Sequence, residues 1–406
     1  MRGFASYVRL ADALRVVLSR VKPLGLEVVP FDRAIGRVLA EDVISKVDVP
    51  PFDRAAVDGY AVRARSTFRA SENKPVRLHV VGSVTIGEST RLRVKEGTAA
   101  KIMTGAPIPK GADAVVMVEN TEAGDDYIDT RVPLPPGKNV SARGEDVQAG
   151  ARVLRRGKRL KSHDVGMLVS IGNLNVRVFR RPRVAILATG GELRQPGTRL
   201  KAAQITNINS HSLAAAVTSC GGLPRQLGIV PDKTAALRKA LLKAARQDLV
   251  LVSGGSSVGE RDLVPDVIAE RGELLFHGVA MRPGGPTAFG VIKNKPIFAL
   301  AGFPVASLVA FDMLVRPTVH KMQGLPADRG FFRVHARLSR KISSTLGRMD
   351  VVRVKLQFGE KGLVAEPIRV TGSGILSSMT NADGFVVVPE DLEGFREGSL
   401  VEVELY

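Results

Sequence analysis

Two hydrophobic rhythms alternate along the chain. Residues 8–30 read as a helix followed by a strand. Residues 45–60 form a loop rich in Pro, Asp and Gly. Between 75 and 133 short β-like runs, such as Val76 to Val84 and Ala114 to Glu119, are separated by Gly and Pro turns, which predicts a β-rich unit. From 181 the texture changes. Val184 to Thr189, Asp248 to Ser253 and Pro296 to Leu300 are short continuous apolar runs of the kind buried on both faces of a sheet. Helical patterns lie between and after them. Asn209 to Cys220 is closed by Gly221-Gly222. Thr234 to Arg246 has Asp232 or Thr234 available as N-cap. Leu263 to Arg271 is helical. Gly302 opens a long helix in which Leu308, Phe311, Val315, Val319 and Met322 recur at helical spacing. Strands alternating with helices predict a doubly wound, mostly parallel α/β sheet, with ligands outside the C-terminal strand ends. Beyond 327 the β rhythm returns, at Phe331 to Leu338, Val351 to Phe358, Leu363 to Val370, Gly384 to Val388 and Ser399 to Leu405, and predicts a small barrel or sandwich. The expected division is 1–50 plus 148–180 as an elongated linking domain, 51–147 as the β-rich domain, 181–326 as the α/β domain and 327–406 as a C-terminal β-barrel.

Charge narrows the partners. The 406 residues include 59 Lys and Arg against 40 Asp and Glu, a formal net charge of +19, so anionic partners are expected. Residues 141–201 hold fourteen Lys/Arg against four Asp/Glu. A solvated face with turns explains that stretch first, and an anion-attracting rim is the alternative. Nucleic acid fits poorly, because Trp is absent, aromatic residues are 5% and no helix-turn-helix or RNA-binding signature occurs. A single cysteine, Cys220, excludes a disulfide framework and a cysteine-rich metal site. No signal-length or membrane-length apolar run is present, since Val305 to Val315 is broken by Asp312, and a soluble cytoplasmic protein without membrane partners is expected.

Three glycine-rich strand ends carry the candidate chemistry: Thr189-Gly190-Gly191-Glu192, Ser253-Gly254-Gly255-Ser256-Ser257-Val258-Gly259 and Ala301-Gly302-Phe303-Pro304. Glycine lets backbone N–H groups approach a phosphate, and a following helix N-terminus favours its charge. One such turn means little; three in one basic α/β region favour an anionic ligand over tight packing alone. No Gly-Lys-Ser/Thr and no spaced GxGxxG occurs, against a P-loop NTPase and a dinucleotide dehydrogenase. The carboxylates Asp58, Asp146, Glu192 and Asp262 lie in or beside such turns. Each alone is explained as a turn or cap residue; near phosphates, carboxylates commonly hold Mg²⁺. The six histidines form no HExxH, and no GxSxG elbow is present.

These segments resemble a known family. Pro50-Pro51-Phe52-Asp53 through Tyr60 is similar to the PPFDNSAMDGYA signature of the MoeA/gephyrin E-domain family. Ile102 to Pro107, Arg143-Gly144-Glu145-Asp146, Thr189 to Leu193, Gly254 to Asp262, Met281-Arg282-Pro283-Gly284 and Gly372 to Met379 continue the match in order, over nearly the whole chain. The resemblance implies four subdomains in a homodimer and a molybdopterin molybdenumtransferase, which inserts molybdate into adenylylated molybdopterin (molybdopterin adenylate) with Mg²⁺ and releases AMP. It implies a site shared between the α/β domain of one subunit and the β-rich domain of the other. Asp58, Thr104 and Asp146 would come from the latter, Glu192 and Asp262 from the former, with Asp58, Asp146 and Asp262 holding metal. Gly190, Gly191, Asp232, Gly254, Gly255, Ser256, Ser257, Gly259, Arg282, Pro283, Gly302, Pro304, Arg353 and Ser373 would bind the pterin and phosphates. The enzyme that adenylylates molybdopterin is a candidate protein partner. A divergent member that only binds, carries or senses the cofactor is the alternative.

The chain departs from the pattern at the proposed ligand side. Two lysines of a KPGKP-like stretch are Arg282 and Gly285 here; a PGNP turn is Ala301-Gly302-Phe303-Pro304; an Asn-Ser pair is Arg54-Ala55, a Met is Val57, and Ser256-Ser257-Val258 stands close to the family's GVSVG. Arginine keeps the charge of lysine but spreads it over a planar fork, and glycine removes a cation outright.

Overall fold

The computed structural model describes residues 7–254, 263–360, 362–368 and 372–406. The chain divides into two compact units, one of Met1–Glu27, Gly36–Ala40 and Val178–Tyr406, the other of Val28–Ile35 and Glu41–Arg177.

The first unit holds the α/β sheet. Its six strands run in the order Leu223–Val230, Arg183–Thr189, Leu249–Ser253, Lys295–Leu300, Ala288–Ile292 and Glu273–His277. The first four are mutually parallel and the last two join antiparallel, so the sheet is mixed at one edge. Val184 through Thr189 and Leu249 through Ser253 are buried at every position, as strands covered on both faces must be. Val184, Ile186, Leu249 and Leu251 face one apolar cluster, Ala185, Leu187, Val250 and Val252 the other.

The helices follow their sequence patterns, with two differences. Helix Thr234–Ala244 buries Leu237, Leu241 and Ala244 at helical spacing, each leucine worth about 2 kcal/mol of burial. Its N-cap is Lys233, with no side-chain cap bond. The expected cap by Asp232 or Thr234 does not form, because the Asp232 carboxylate is engaged at the neighbouring strand end. The long helix begins at Pro304 rather than Gly302 and is interrupted: Pro304–Ala310 is α-helical, Phe311–Val315 forms a π turn, and Arg316–Met322 resumes the α-helix. Asp312 is buried on the π turn, where Arg316 donates to it through Nε at 3.0 Å and Nη2 at 2.7 Å. Helix Asn209–Ser219 closes as expected, with Gly221 at φ +86° just past Cys220.

In the same unit a C-terminal β-barrel closes on itself. Met349–Gly359 pairs with Gly362–Pro367, which pairs in parallel with Arg333–Leu338; that strand pairs with Leu400–Leu405, then Gly384–Val388, which returns to Met349–Gly359. Alternate residues, Val352, Val354, Val386, Val388, Val401 and Val403 among them, fill its interior. The barrel is fastened to the sheet domain twice. Met281–Arg282 adds in parallel to Met349 and Asp350, and Val351 and Phe385 join the large apolar cluster under the sheet.

The second unit contains a six-stranded sheet ordered Ala114–Met117, Gly59–Val62, Thr98–Ile102, Val76–Val84, Tyr127–Thr130 and Thr121–Ala123, which answers to the β-rich reading of residues 75–133. Among the described residues no helix is long and apolar enough to cross a membrane.

Candidate functional site

The glycine loops that leave the parallel strands meet at one end of the α/β sheet. A Cβ built on Gly254 would lie 2.1 Å from the Thr189 carbonyl oxygen, and Gly254 has φ +97°, so both space and backbone demand glycine there. A Cβ on Gly302 would come 3.7 Å from Gly254 Cα, so the third loop joins the other two. A Cβ on Gly190 would meet Glu192 Oε1 at 2.7 Å; the Glu192 carboxylate folds back over the loop that carries it.

Two polar side chains tie this junction. Asp232 accepts a hydrogen bond from the Thr189 hydroxyl and another from the Gly191 N–H at 3.1 Å. Asn209 donates to Ser253 Oγ and to the Gly302 carbonyl, both at 2.7 Å. Its Oδ1 is buried and has no partner among the described residues. Sequence reasoning found Asp232 and missed Asn209, which reads only as the first residue of a helix. The positions Gly255, Ser256, Ser257, Gly259 and Asp262 lie outside the described residues.

Beside the junction, between the sheet's last glycine turn and the barrel, lies a cleft of about 590 Å³. Arg282, Pro283, Phe303, Arg348, Arg353 and Ser373 line it, with Tyr7 and Gly285. Arg353 decides its character. It lies on the barrel strand Met349–Gly359 and is 2% exposed. Its Nη1 donates to the Val351 carbonyl at 3.2 Å, its Nε is buried without a partner, and no carboxylate among the described residues forms an ion pair with it. Burial pushes this guanidinium below its ordinary range, and the neighbouring positive charge of Arg282 pushes the same way, with the Tyr406 phenol opposing. Arg348 is held by Asp350 at 3.1 Å. The Val305 N–H donates to the Ser373 carbonyl at 3.1 Å, which fixes Ser373 against the first turn of the helix beginning at Pro304. Three guanidiniums line one cleft, and one of them is buried without an ion-pair partner among the described residues, a donor chemistry of the kind that oxyanions take. Arg282, Pro283, Arg353 and Ser373, which the family resemblance implied for ligand binding, line this cleft; Arg348 and Tyr7 line it too and were not among the expected residues, because a lone arginine or tyrosine carries no local signal of its own.

On the second unit Asp58 immediately precedes strand Gly59–Val62, and Thr104 follows strand Thr98–Ile102. Gly59 faces Ile102 in the antiparallel ladder, so the two side chains emerge at the same sheet end. The Thr104 N–H and hydroxyl both donate to Asp58 Oδ1 at 2.7 Å. These two donors, the main-chain one foremost, hold the Asp58 carboxyl below the usual carboxylate range. Asp146 lies exposed in the turn whose N–H donates to the Val49 carbonyl at 3.0 Å. Among the described residues no three His, Cys, Asp or Glu side chains gather as a metal cluster.

The geometry thus joins glycine turns at the C-terminal ends of parallel strands to a cleft lined by three arginines and walled by a barrel. Three family models match this arrangement in order: MoeA N-terminal region (domain I and II) over residues 8–172, "Probable molybdopterin binding domain" over 185–321, and MoeA C-terminal region (domain IV) over 335–406. The protein is of the class built round a molybdopterin-binding α/β domain. Two crystal structures of molybdopterin biosynthesis MoeA proteins from Pyrococcus horikoshii are similar throughout. One is 42% identical, with 98% of this chain and 99% of that one covered at a TM-score of 0.84; the other is 37% identical, with 99% and 100% covered at 0.86. Molybdopterin molybdenumtransferase 2 of Mycobacterium tuberculosis is 35% identical over 398 residues, 96% of this chain and 97% of that protein. The chain belongs to the MoeA family, and its general role is in molybdenum cofactor biosynthesis.

Proposed function

We propose that the protein inserts molybdate into adenylylated molybdopterin and releases AMP. The observation that carries this reading is Arg353, a buried cation without a carboxylate partner on the wall of the cleft. Burying such a charge with one carbonyl partner is costly, and an anion that takes up its free donors would offset that cost. Arg353, Arg282 and the Ser373 segment would hold an oxyanion, molybdate or a phosphate, by charge-assisted hydrogen bonds. The loops at Gly190 and Gly302, with Pro304 opening the next helix, would offer backbone N–H groups to the pterin and phosphates, while Gly191 and Gly254, whose own N–H groups are held by Asp232 and the Leu300 carbonyl, would let the ligand approach the backbone closely; Gly255, Ser256, Ser257 and Gly259 would belong to the same cradle. Asp232 would position the first loop, and Glu192 would line it. Pro283 would shape the turn that carries Arg282.

Asp58, Asp146 and Asp262 would hold Mg²⁺. That ion takes one or two carboxylates and completes its shell with phosphate oxygens and water, so Asp58 with one further carboxylate would suffice. Asp58 is suited to it, because Thr104 keeps the carboxyl ionised while using only Oδ1. When bound, the ion would neutralise charge on the phosphates and ease departure of AMP. We further propose a homodimer, in which the Asp58–Thr104 pair of one subunit serves the cleft of its partner. We retain the four-part division at 1–50 plus 148–180, 51–147, 181–326 and 327–406.

The test is incubation with adenylylated molybdopterin, Mg²⁺ and molybdate, following AMP and active cofactor. AMP release that requires molybdate and falls at least a hundredfold in Asp58→Asn supports the proposal. Release that survives changing both Asp58 and Asp262 defeats the assigned roles. One observation favours a second reading, a carrier or sensor: Gly285 lines the cleft where a lysine would add a cation. Tight pterin binding with no AMP release would select it.

A further inference from the structure

Phe303 stands between the glycine junction and the cationic cleft. It is the N-cap residue of helix Pro304–Ala310, and its carbonyl accepts the Ser307 N–H at 2.9 Å, so its backbone is fixed. Its ring is not packed away. The residue is 62% exposed and lines the cleft, and one edge of the ring rests against the backbone near Gly374, where a Cβ would meet Cδ1 at 3.3 Å. A single exposed apolar side chain is ordinary. An exposed aromatic ring facing the same cleft as Arg282, Arg348 and Arg353, one residue beyond the Gly302 turn, is a different matter. A flat apolar face beside guanidiniums matches a flat heterocycle that carries phosphate: the ring stacks while the phosphate pairs.

We infer that Phe303 is the stacking platform for a fused heteroaromatic ring of the ligand, pterin or adenine, and so sets specificity for phosphates that bear such a ring over those that do not. This rests on the proposed function, since that reading supplies a ligand with both rings. The residue is a binding contact and does not enter the chemistry.

The test compares four probes by titration calorimetry on the full-length protein: AMP, neopterin monophosphate, ribose 5-phosphate and molybdate. The wild type should bind at least one ring-bearing phosphate about tenfold more tightly than ribose 5-phosphate. Phe303→Leu should erase that advantage and leave ribose 5-phosphate and molybdate within twofold, while Phe303→Tyr should keep it. The probe that loses affinity identifies the stacked ring. The inference is overturned if the advantage survives Phe303→Leu, if ribose 5-phosphate weakens equally, if the wild type shows no ring preference, or if Phe303→Leu changes the oligomeric state by light scattering. Circular dichroism on both variants checks folding, and the Tyr variant keeps the test decisive should the Leu variant misfold. Molybdate-dependent AMP release is measured separately. A ring preference lost in Phe303→Leu without any such release in the wild type would sink the proposed reaction and leave the platform standing.

Discussion

Replacing Arg353 by methionine should separate binding from stability in opposite directions. The stem of the side chain keeps its packing, because methionine fills nearly the same path without the guanidinium. What disappears is a buried charge with an unsatisfied Nε and one hydrogen bond to the Val351 carbonyl. An unsatisfied buried donor costs about 1–3 kcal/mol, whereas the lost hydrogen bond contributes about 0.5–1.5 kcal/mol net. The balance favours the variant by roughly 0–2 kcal/mol, in line with other buried charges exchanged for apolar groups. Ligand-free Arg353→Met should therefore melt at the same temperature as the wild type or above it.

Anion binding should move the other way. A hydrogen bond to a charged group is worth about 1.5–3 kcal/mol, so the oxyanion Kd should rise roughly 10- to 150-fold. A thermal-shift series with molybdate reads both effects. At a concentration 100 times its Kd, molybdate should stabilise the wild type by about 2.7 kcal/mol. A variant bound 100-fold more weakly would gain only about 0.4 kcal/mol at that concentration. If Arg353→Met loses more than about 2 kcal/mol without ligand and still responds to molybdate, Arg353 is a structural residue and the cleft has been misread.

Further outcomes follow from the same geometry. Thr104→Val removes one of the two donors to Asp58 and should raise that carboxyl toward the ordinary Asp value near 3.9; a carboxyl titration by NMR would show it, and no rise would mean the main-chain donor alone sets the value. Because the folded-state value is depressed, this pair stabilises above the unfolded Asp range and its contribution is lost as pH falls through the folded value; Thr104→Val should move that loss to higher pH. Gly254→Ala puts a methyl 2.1 Å from the Thr189 carbonyl at a left-handed φ, and should cost several kcal/mol in chemical denaturation, in the range of severe single substitutions. Gly285→Lys places a Cβ 3.2 Å from the Met281 carbonyl, so that backbone must give by a few tenths of an ångström, and the variant should fold with a modest loss of stability in chemical denaturation. It should tighten molybdate binding, and the gain should shrink at high salt as screening grows.

The fold was legible where a run of residues shares one environment. Val184 to Thr189 is apolar throughout because both sides of that strand are covered, and Thr234 to Ala244 shows its buried leucines four apart. The antiparallel edge of the sheet was harder to read, since Ala288–Ile292 and Glu273–His277 look like any buried strand and direction depends on partners far along the chain. The π turn at Phe311–Val315 was invisible because one extra residue in a helical repeat leaves the spacing of Leu308, Phe311 and Val315 within ordinary helical tolerance. Asp232 shows the limit of local rules. Its position before a helix predicts a cap, but the neighbouring strand end offered the Thr189 hydroxyl and the Gly191 N–H, and the tertiary partners won.

The cleft itself could not be read from local pattern, and the departures at positions 282, 285 and 303 gain meaning only from its geometry. Read singly, lysine replaced by arginine, lysine by glycine and asparagine by phenylalanine look like decay of a site. All three positions line one cavity, and that cavity also holds Arg353 and Arg348. A site losing its ligand has no reason to keep Arg353 buried and unpaired, because that costs stability the chain could recover by a single substitution to methionine. Nor would it keep an aromatic ring in solvent at the cavity wall. The glycine at 285 removes a point charge, while the guanidinium of Arg282 would supply planar donors that match the oxygens of a phosphate or molybdate in pairs, with Arg348, held by Asp350, adding positive charge at the wall. On the proposed function the combination reads as a retuned receptor, in which donor geometry and a stacking face would replace the charge that lysine would bring.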